Sequence, residues 1–216
     1  NQFNDKNLSK FKTDNLIIGF SLIIIGLIKK VVFANFLSKI VDHGYNNIEI
    51  LTVLDSWLIS TAFTFQFYFD FSGYVDMALG IAFLFNIKLP INFNSPLKAT
   101  SAINFWQRWH ITLTNFLNNY LYFPLIRKFE NINFFKIMLA IVVVFSIAGI
   151  WHGPSIMFLI FGLWHSFGII VNHIYKKFSF YKNKLINLIH FFITFTFINI
   201  SFIFFRSLNF NDALTL

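Results

Sequence analysis

The sequence predicts an all-α, multi-span membrane protein, and three observations predict it. Of its 216 residues, 56% are apolar and only 12% charged, against roughly 45–50% and about 25% in a soluble domain. The mean hydropathy is +0.64. With 33 Phe, 5 Trp and 7 Tyr, the chain holds more apolar surface than one aqueous core can hide, so the excess faces lipid. Nothing in this composition suits a soluble globular domain.

Residues 1–15 are polar, carry Lys6, Lys10 and Lys12, and read as a loop or short surface helix leading into the bilayer. Six hydrophobic segments follow, over 16–37, 51–71, 75–87, 134–151, 156–171 and 185–205. The first is interrupted by Lys29 and Lys30, which the need for about 20 apolar residues per span places at an interface, snorkelling. The second carries Asp55 and Asp70, and the third is short, ending at Lys88 with Pro90 beyond. Between the fourth and fifth lies only His152-Gly153-Pro154-Ser155. Gly and Pro break a helix, so the chain turns sharply there. The sixth carries His190 and ends at Arg206.

Residues 99–123 are too polar to span. Asn104, Gln107, Arg108, Thr112, Asn115, Asn118 and Asn119 recur at helical spacing between Phe105, Trp106, Trp109, Leu113, Phe116, Leu117 and Leu121. This predicts an amphipathic helix, flat at the interface or dipping in from the cytoplasmic side, and ended by Pro124. The chain starts at Asn1 with no basic-then-apolar leader, so it is expected to be an interior piece of a longer polypeptide.

The net charge of +8 would suggest nucleic acid on a soluble domain. Here the basic residues sit between hydrophobic segments, where they orient the chain, and nucleic-acid binding is discounted. Arg127, Lys128 and Lys136 precede the fourth segment, and Lys176, Lys177, Lys182 and Lys184 follow the fifth. The positive-inside rule places both clusters in the cytoplasm and the His152 turn on the other side or inside the membrane. The absence of Cys excludes disulfides, thiolate metal sites and a Cys nucleophile.

Six His remain to be weighed. An ionisable residue at membrane depth points to function by default, although a neutral His also serves as a structural hydrogen-bonding group. His43 and His173 sit beside polar loops and read as incidental; His190 reads as packing, and His165 stays open. His152 stands at the break between two spans, where irregular backbone opens room for a site. His110 lies in Trp106-Gln107-Arg108-Trp109-His110, one turn from Thr114. Asp76, three residues after Gly73, suits the N-terminal cap of a new helix better than direct catalysis.

Taken together, Phe69-Asp70-Phe71-Ser72-Gly73-Tyr74 with Asp76-Met77-Ala78, Leu89-Pro90-Ile91-Asn92-Phe93-Asn94-Ser95-Pro96, Phe105-Trp106-Gln107-Arg108-Trp109-His110-Ile111-Thr112-Leu113, Tyr120-Leu121-Tyr122-Phe123-Pro124-Leu125 and Trp151-His152-Gly153 resemble the membrane-bound O-acyltransferase family. The pattern is most similar to the bacterial alginate O-acetylation branch, and less so to the teichoic acid D-alanyl transfer proteins. It departs from the family at Asn118-Asn119, where relatives usually carry Arg-Asp, and at Ile126-Arg127, where a Gly pair is usual.

The resemblance implies a many-helix fold with broken and re-entrant helices around a central tunnel. This chain would supply the C-terminal portion of one transmembrane domain spanning residues 1–216, the N-terminal helices lying outside it. It also implies His152 and His110 as catalytic residues, with Trp106, Arg108, Trp109, Trp151, Gly153, Asp70, Ser72, Asp76 and Asn94 binding substrate or supporting them. No metal or bound cofactor is expected. The donor would be acetyl-CoA or another acyl thioester, the acceptor an extracytoplasmic polysaccharide such as alginate, and the partners periplasmic acetyltransferases, in the bacterial inner membrane. Peptidoglycan O-acetylation and teichoic acid D-alanylation are alternatives of the same chemistry.

Acyl transfer to an alcohol needs a base near neutral pKa, and His, at about 6.5, suits it. His152 is expected as that base. His110 would orient the thioester or stabilise the oxyanion, together with amides freed near Gly153. An acyl-His intermediate remains an open alternative. Two rivals belong to other classes: a proton-coupled transporter using His with Asp70 or Asp76 as a relay, and a haem protein with His ligands.

Overall fold

The computed structural model describes residues 2, 10, 12–178 and 183–216. Most of the polar lead-in over 1–15, Lys182, and the side chains of Lys177 and Lys184 lie outside the described residues. Among the described residues all regular structure is helical, and five helices are long and apolar enough to cross a membrane. The chain divides into two compact units, Asn1–Asn92 and Phe93–Leu216.

The first unit is a helical hairpin. Helix α1 runs over Thr13–Tyr45 and α2 over Val53–Leu84. At its start α2 has a reciprocal cap: the Asp55 amide donates to Thr52 Oγ1 at 3.3 Å and the Thr52 amide to Asp55 Oδ2 at 3.0 Å, satisfying two amides that the first turn leaves open. It ends where Asn86 takes a left-handed conformation, φ 61°, and Pro90 follows. The segments expected at 51–71 and 75–87 are thus one continuous helix of 32 residues, about 48 Å long at 1.5 Å per residue.

Gly73 does not break that helix because it serves close approach instead. A Cβ on Gly73 would stand 2.8 Å from the carbonyl oxygen of Gly26, and one on Gly26 would stand 2.6 Å from that of Gly73. With hydrogen in both places the two backbones touch, as small-residue interfaces allow in membranes. Asp76 is accordingly mid-helix and caps nothing.

Its carboxylate accepts from Lys29 Nζ at 2.5 Å, and Asp70 pairs with Lys30. Lys29 and Lys30 sit at the middle of α1, in a stretch of π-helix over Ile28–Ala34. Adjacent residues on an α-helix do not face the same neighbour; the wider π turn lets both lysines reach α2. They are interhelical ion-pair partners, where snorkelling was expected.

The second unit is built on three long helices, α6 over Phe134–Trp151, α7 over Ile156–Phe178 and α8 over Lys184–Arg206. Ahead of them run α3 (Ala102–Trp106), α4 (Ile111–Leu117) and α5 (Phe123–Arg127), the last two joined by a π turn at Asn118–Tyr122; a short α9, Phe210–Thr215, closes the chain. The amphipathic helix expected over 99–123 is therefore broken at residues 107–110. Pro124 is the second residue of α5, just after the π turn, rather than the end of a helix; a missing amide is tolerated in a first turn. On α7, Trp164 stacks on Phe197 of α8 with centroids 5.1 Å apart, and its indole N–H donates to the Phe197 carbonyl at 3.0 Å. Helix α3 is tied to α7 by the Ile103 amide, which donates to Asn172 Oδ1 at 3.1 Å.

Candidate active site

His110 is the residue before α4 and occupies the left-handed region, φ 43° and ψ 53°. A non-glycine residue held there carries strain that its surroundings must sustain. They do so with several bonds. The Asn94 amide donates to the Arg108 carbonyl at 2.9 Å, Arg108 Nη1 donates back to the Asn94 carbonyl at 3.1 Å, and Arg108 Nε donates to Asn104 Oδ1 at 3.1 Å. Thr114 Oγ1 reaches the carbonyls of Trp106 at 3.2 Å and Trp109 at 3.4 Å, while the Thr114 amide donates to the His110 carbonyl at 3.0 Å. Asn94 and Arg108 are thus joined by two reciprocal hydrogen bonds beside the break.

Trp106 and Trp109 are both buried. Trp109 stacks on Phe105 at 5.5 Å and meets Phe93 edge-on at 5.0 Å, so its work is packing around the break. Trp106 donates its indole N–H to His165 Nδ1 at 3.2 Å. A cavity of about 310 Å³ lies beside this segment, lined among others by Trp106, Gln107, Thr114, Asn118, Tyr122 and His173.

His152 follows the last residue of α6, in the turn to α7. Its imidazole is surrounded by the rings of Trp151 (5.0 Å), Phe205 (5.1 Å), Phe161 (5.9 Å) and Phe158 (6.0 Å). A Cβ at Gly153 would lie 2.7 Å from the Phe158 ring, so a side chain there would displace that ring. The His152 amide donates to the Gly149 carbonyl at 3.0 Å and the Gly153 amide to that of Ile150 at 3.1 Å. Those two amides are therefore engaged, contrary to the expectation of free oxyanion donors there. Trp151 is 66% exposed, a position suited to an interface aromatic.

His152 acts electrostatically on His110. Burial, and after it the charge His152 can carry, pushes His110 down to about 4. Burial also lowers His152 below its usual 6.5. Both imidazoles are consequently neutral near pH 7, the form that accepts a proton or attacks a carbonyl.

Asp70, Ser72 and Asp76 belong to the first unit. The two carboxylates are held by Lys30 and Lys29, and Ser72 is buried on α2. Among the described residues no three His, Asp or Glu side chains converge on a metal site. His165, left open by the sequence, is buried beside Trp106; no sequence signal links two residues 59 positions apart.

A sequence model of the membrane-bound O-acyltransferase family matches residues 1–211. Among curated proteins, a peptidoglycan O-acetyltransferase of Helicobacter pylori is 43% identical over 99% of this chain and 40% of its own length. A protein named probable alginate O-acetylase AlgI from Pseudomonas syringae pv. tomato is 33% identical over 98% of this chain and 39% of its own. A teichoic acid D-alanyltransferase of Bacillus subtilis is 28% identical over 56% of this chain and 34% of its own. The chain spans about 40% of the length of the first two relatives. Motifs, membrane helices and a family match over nearly every residue agree, and the chain belongs to the membrane-bound O-acyltransferase family.

Proposed function

We propose that the protein containing this chain transfers an acetyl group from a cytoplasmic thioester, acetyl-CoA or a carrier-bound acetyl, to a hydroxyl of an extracytoplasmic glycan. The carrying observation is the pair of neutral imidazoles, His110 at a strained break and sensitive to the charge on His152, and His152 at a helix turn among aromatic rings. His152 takes the proton of the attacking hydroxyl. The oxygen then bonds to the carbonyl carbon, the carbon–sulfur bond breaks, and the thiolate leaves with a proton returned by the imidazolium. His110 orients the thioester and steadies the charge developing on the carbonyl oxygen. The aromatic walls keep out water that would hydrolyse the thioester.

The higher identity to the peptidoglycan O-acetyltransferase than to the alginate protein, 43% against 33%, supports peptidoglycan ahead of alginate as the acceptor. The setting is the bacterial inner membrane, with a periplasmic acetyltransferase as partner. Membranes holding the full-length protein and supplied with acetyl-labelled acetyl-CoA test the reading. Label is expected in alkali-labile ester on the glycan and is lost in His152→Ala. Undiminished labelling in that variant would overturn it.

A further inference from the structure

His165 is 1% exposed and sits among the rings of Phe105, Trp106, Phe145, Phe161 and Phe197. Its Nδ1 accepts the Trp106 indole N–H at 3.2 Å. An indole only donates, so Nδ1 is unprotonated and the ring's proton is on Nε2. That Nε2 is buried without a hydrogen-bond partner. An unpaired buried donor costs about 1–3 kcal/mol, and a Leu or Phe would fill a cage of five aromatic rings without that cost. Packing therefore gives no reason for a histidine, whereas the bond to Trp106 does.

That bond reaches the two site histidines by short routes. Trp106 ends α3, and its carbonyl accepts Thr114 Oγ1 at 3.2 Å; the Thr114 amide in turn donates to the carbonyl of the strained His110. On the other side, Phe161 meets the His165 ring edge-on at 4.6 Å and the His152 ring at 5.9 Å. We propose that His165 is a positioning residue for acyl transfer: by accepting the Trp106 indole N–H it fixes the end of α3 and so holds His110 in its left-handed conformation. The inference rests on the reading of His110 and His152 given above.

The test measures acetyl transfer to glycan by the full-length protein at matched membrane levels. His165→Leu keeps the bulk but not the acceptor and is expected to lower kcat by about 10- to 100-fold, the scale of a misplaced catalytic group, with KM for the thioester changed by less than about 2-fold. His165→Asn places an oxygen where Nδ1 was and is expected to recover most of that loss. Trp106→Phe removes the same bond from the other end, and combined with His165→Leu should lose no more than either alone. Wild-type transfer by His165→Leu, equal loss in the Asn and Leu variants, or multiplying losses in the double variant would overturn the proposal. If those results came while His110→Ala and His152→Ala abolished transfer, the positioning role alone would fail. If the two Ala variants stayed active, the catalytic reading would fail with it.

Discussion

Phe205 of α8 stands edge-on to His152, with ring centroids 5.1 Å apart and the planes at 81°. It forms one wall of a low-dielectric niche in which the charged imidazolium is disfavoured. Both site histidines are held neutral in the folded protein, His110 down to about 4 and His152 below 6.5. The unfolded chain binds protons more readily as pH falls below 6.5, so stability is lost from there downward, progressively to about 4. Acetyl transfer should follow, with a plateau at neutral pH and an acid limb centred below 6.5. A pH–kcat profile checks this, and an acid limb centred above 7 would contradict it.

Opening the wall should move that limb. Phe205→Ala admits water beside His152, so the acid limb should shift upward toward 6.5 and thioester hydrolysis without transfer should rise. Comparing free-acetate release with glycan ester in the two proteins measures both effects.

Backbone contact between α1 and α2 depends on Gly26 and Gly73. Gly73→Leu forces a side chain into the Gly26 carbonyl, where even a Cβ would stand only 2.8 Å away. Overpacking of this kind costs about 1–3 kcal/mol or more. Thermal unfolding of the purified full-length protein in detergent should show a lowered midpoint. The control Gly153→Ala leaves this hairpin untouched but clashes with Phe158, and should affect transfer instead.

The two ion pairs of the hairpin differ in exposure. The Lys29 and Asp76 side chains are 24% and 19% exposed, those of Lys30 and Asp70 45% and 44%. Asp76→Asn and Asp70→Asn each strand an ammonium in the middle of a membrane-spanning helix, and each should destabilise the hairpin. An unfolding midpoint unchanged from wild type in either variant would refute a structural role for that pair.

The long apolar segments were legible because hydropathy over some 20 residues is a local property. The turn at His152 was legible for the same reason: Gly and Pro are local signals. What escaped was every feature set by a partner far along the chain. Gly73 has the local look of a helix break, yet its role is decided by Gly26. Asp76 resembles a cap after that apparent break, but Lys29, 47 positions away, takes its charge. The left-handed break at His110 cannot be read from a helical pattern of polar and apolar residues, because Asn94 and Thr114 stabilise it through backbone groups. His165 stays open in the sequence because its hydrogen-bond partner, Trp106, lies 59 positions away.

Whether His110 and His152 carry acyl transfer is read from the ester-linked acetate on the glycan of intact cells. In cells producing the full-length protein at equal levels, His152→Ala and His110→Ala should each reduce alkali-released acetate to the level of cells lacking the protein. Acetate at the wild-type level in either variant would contradict the account.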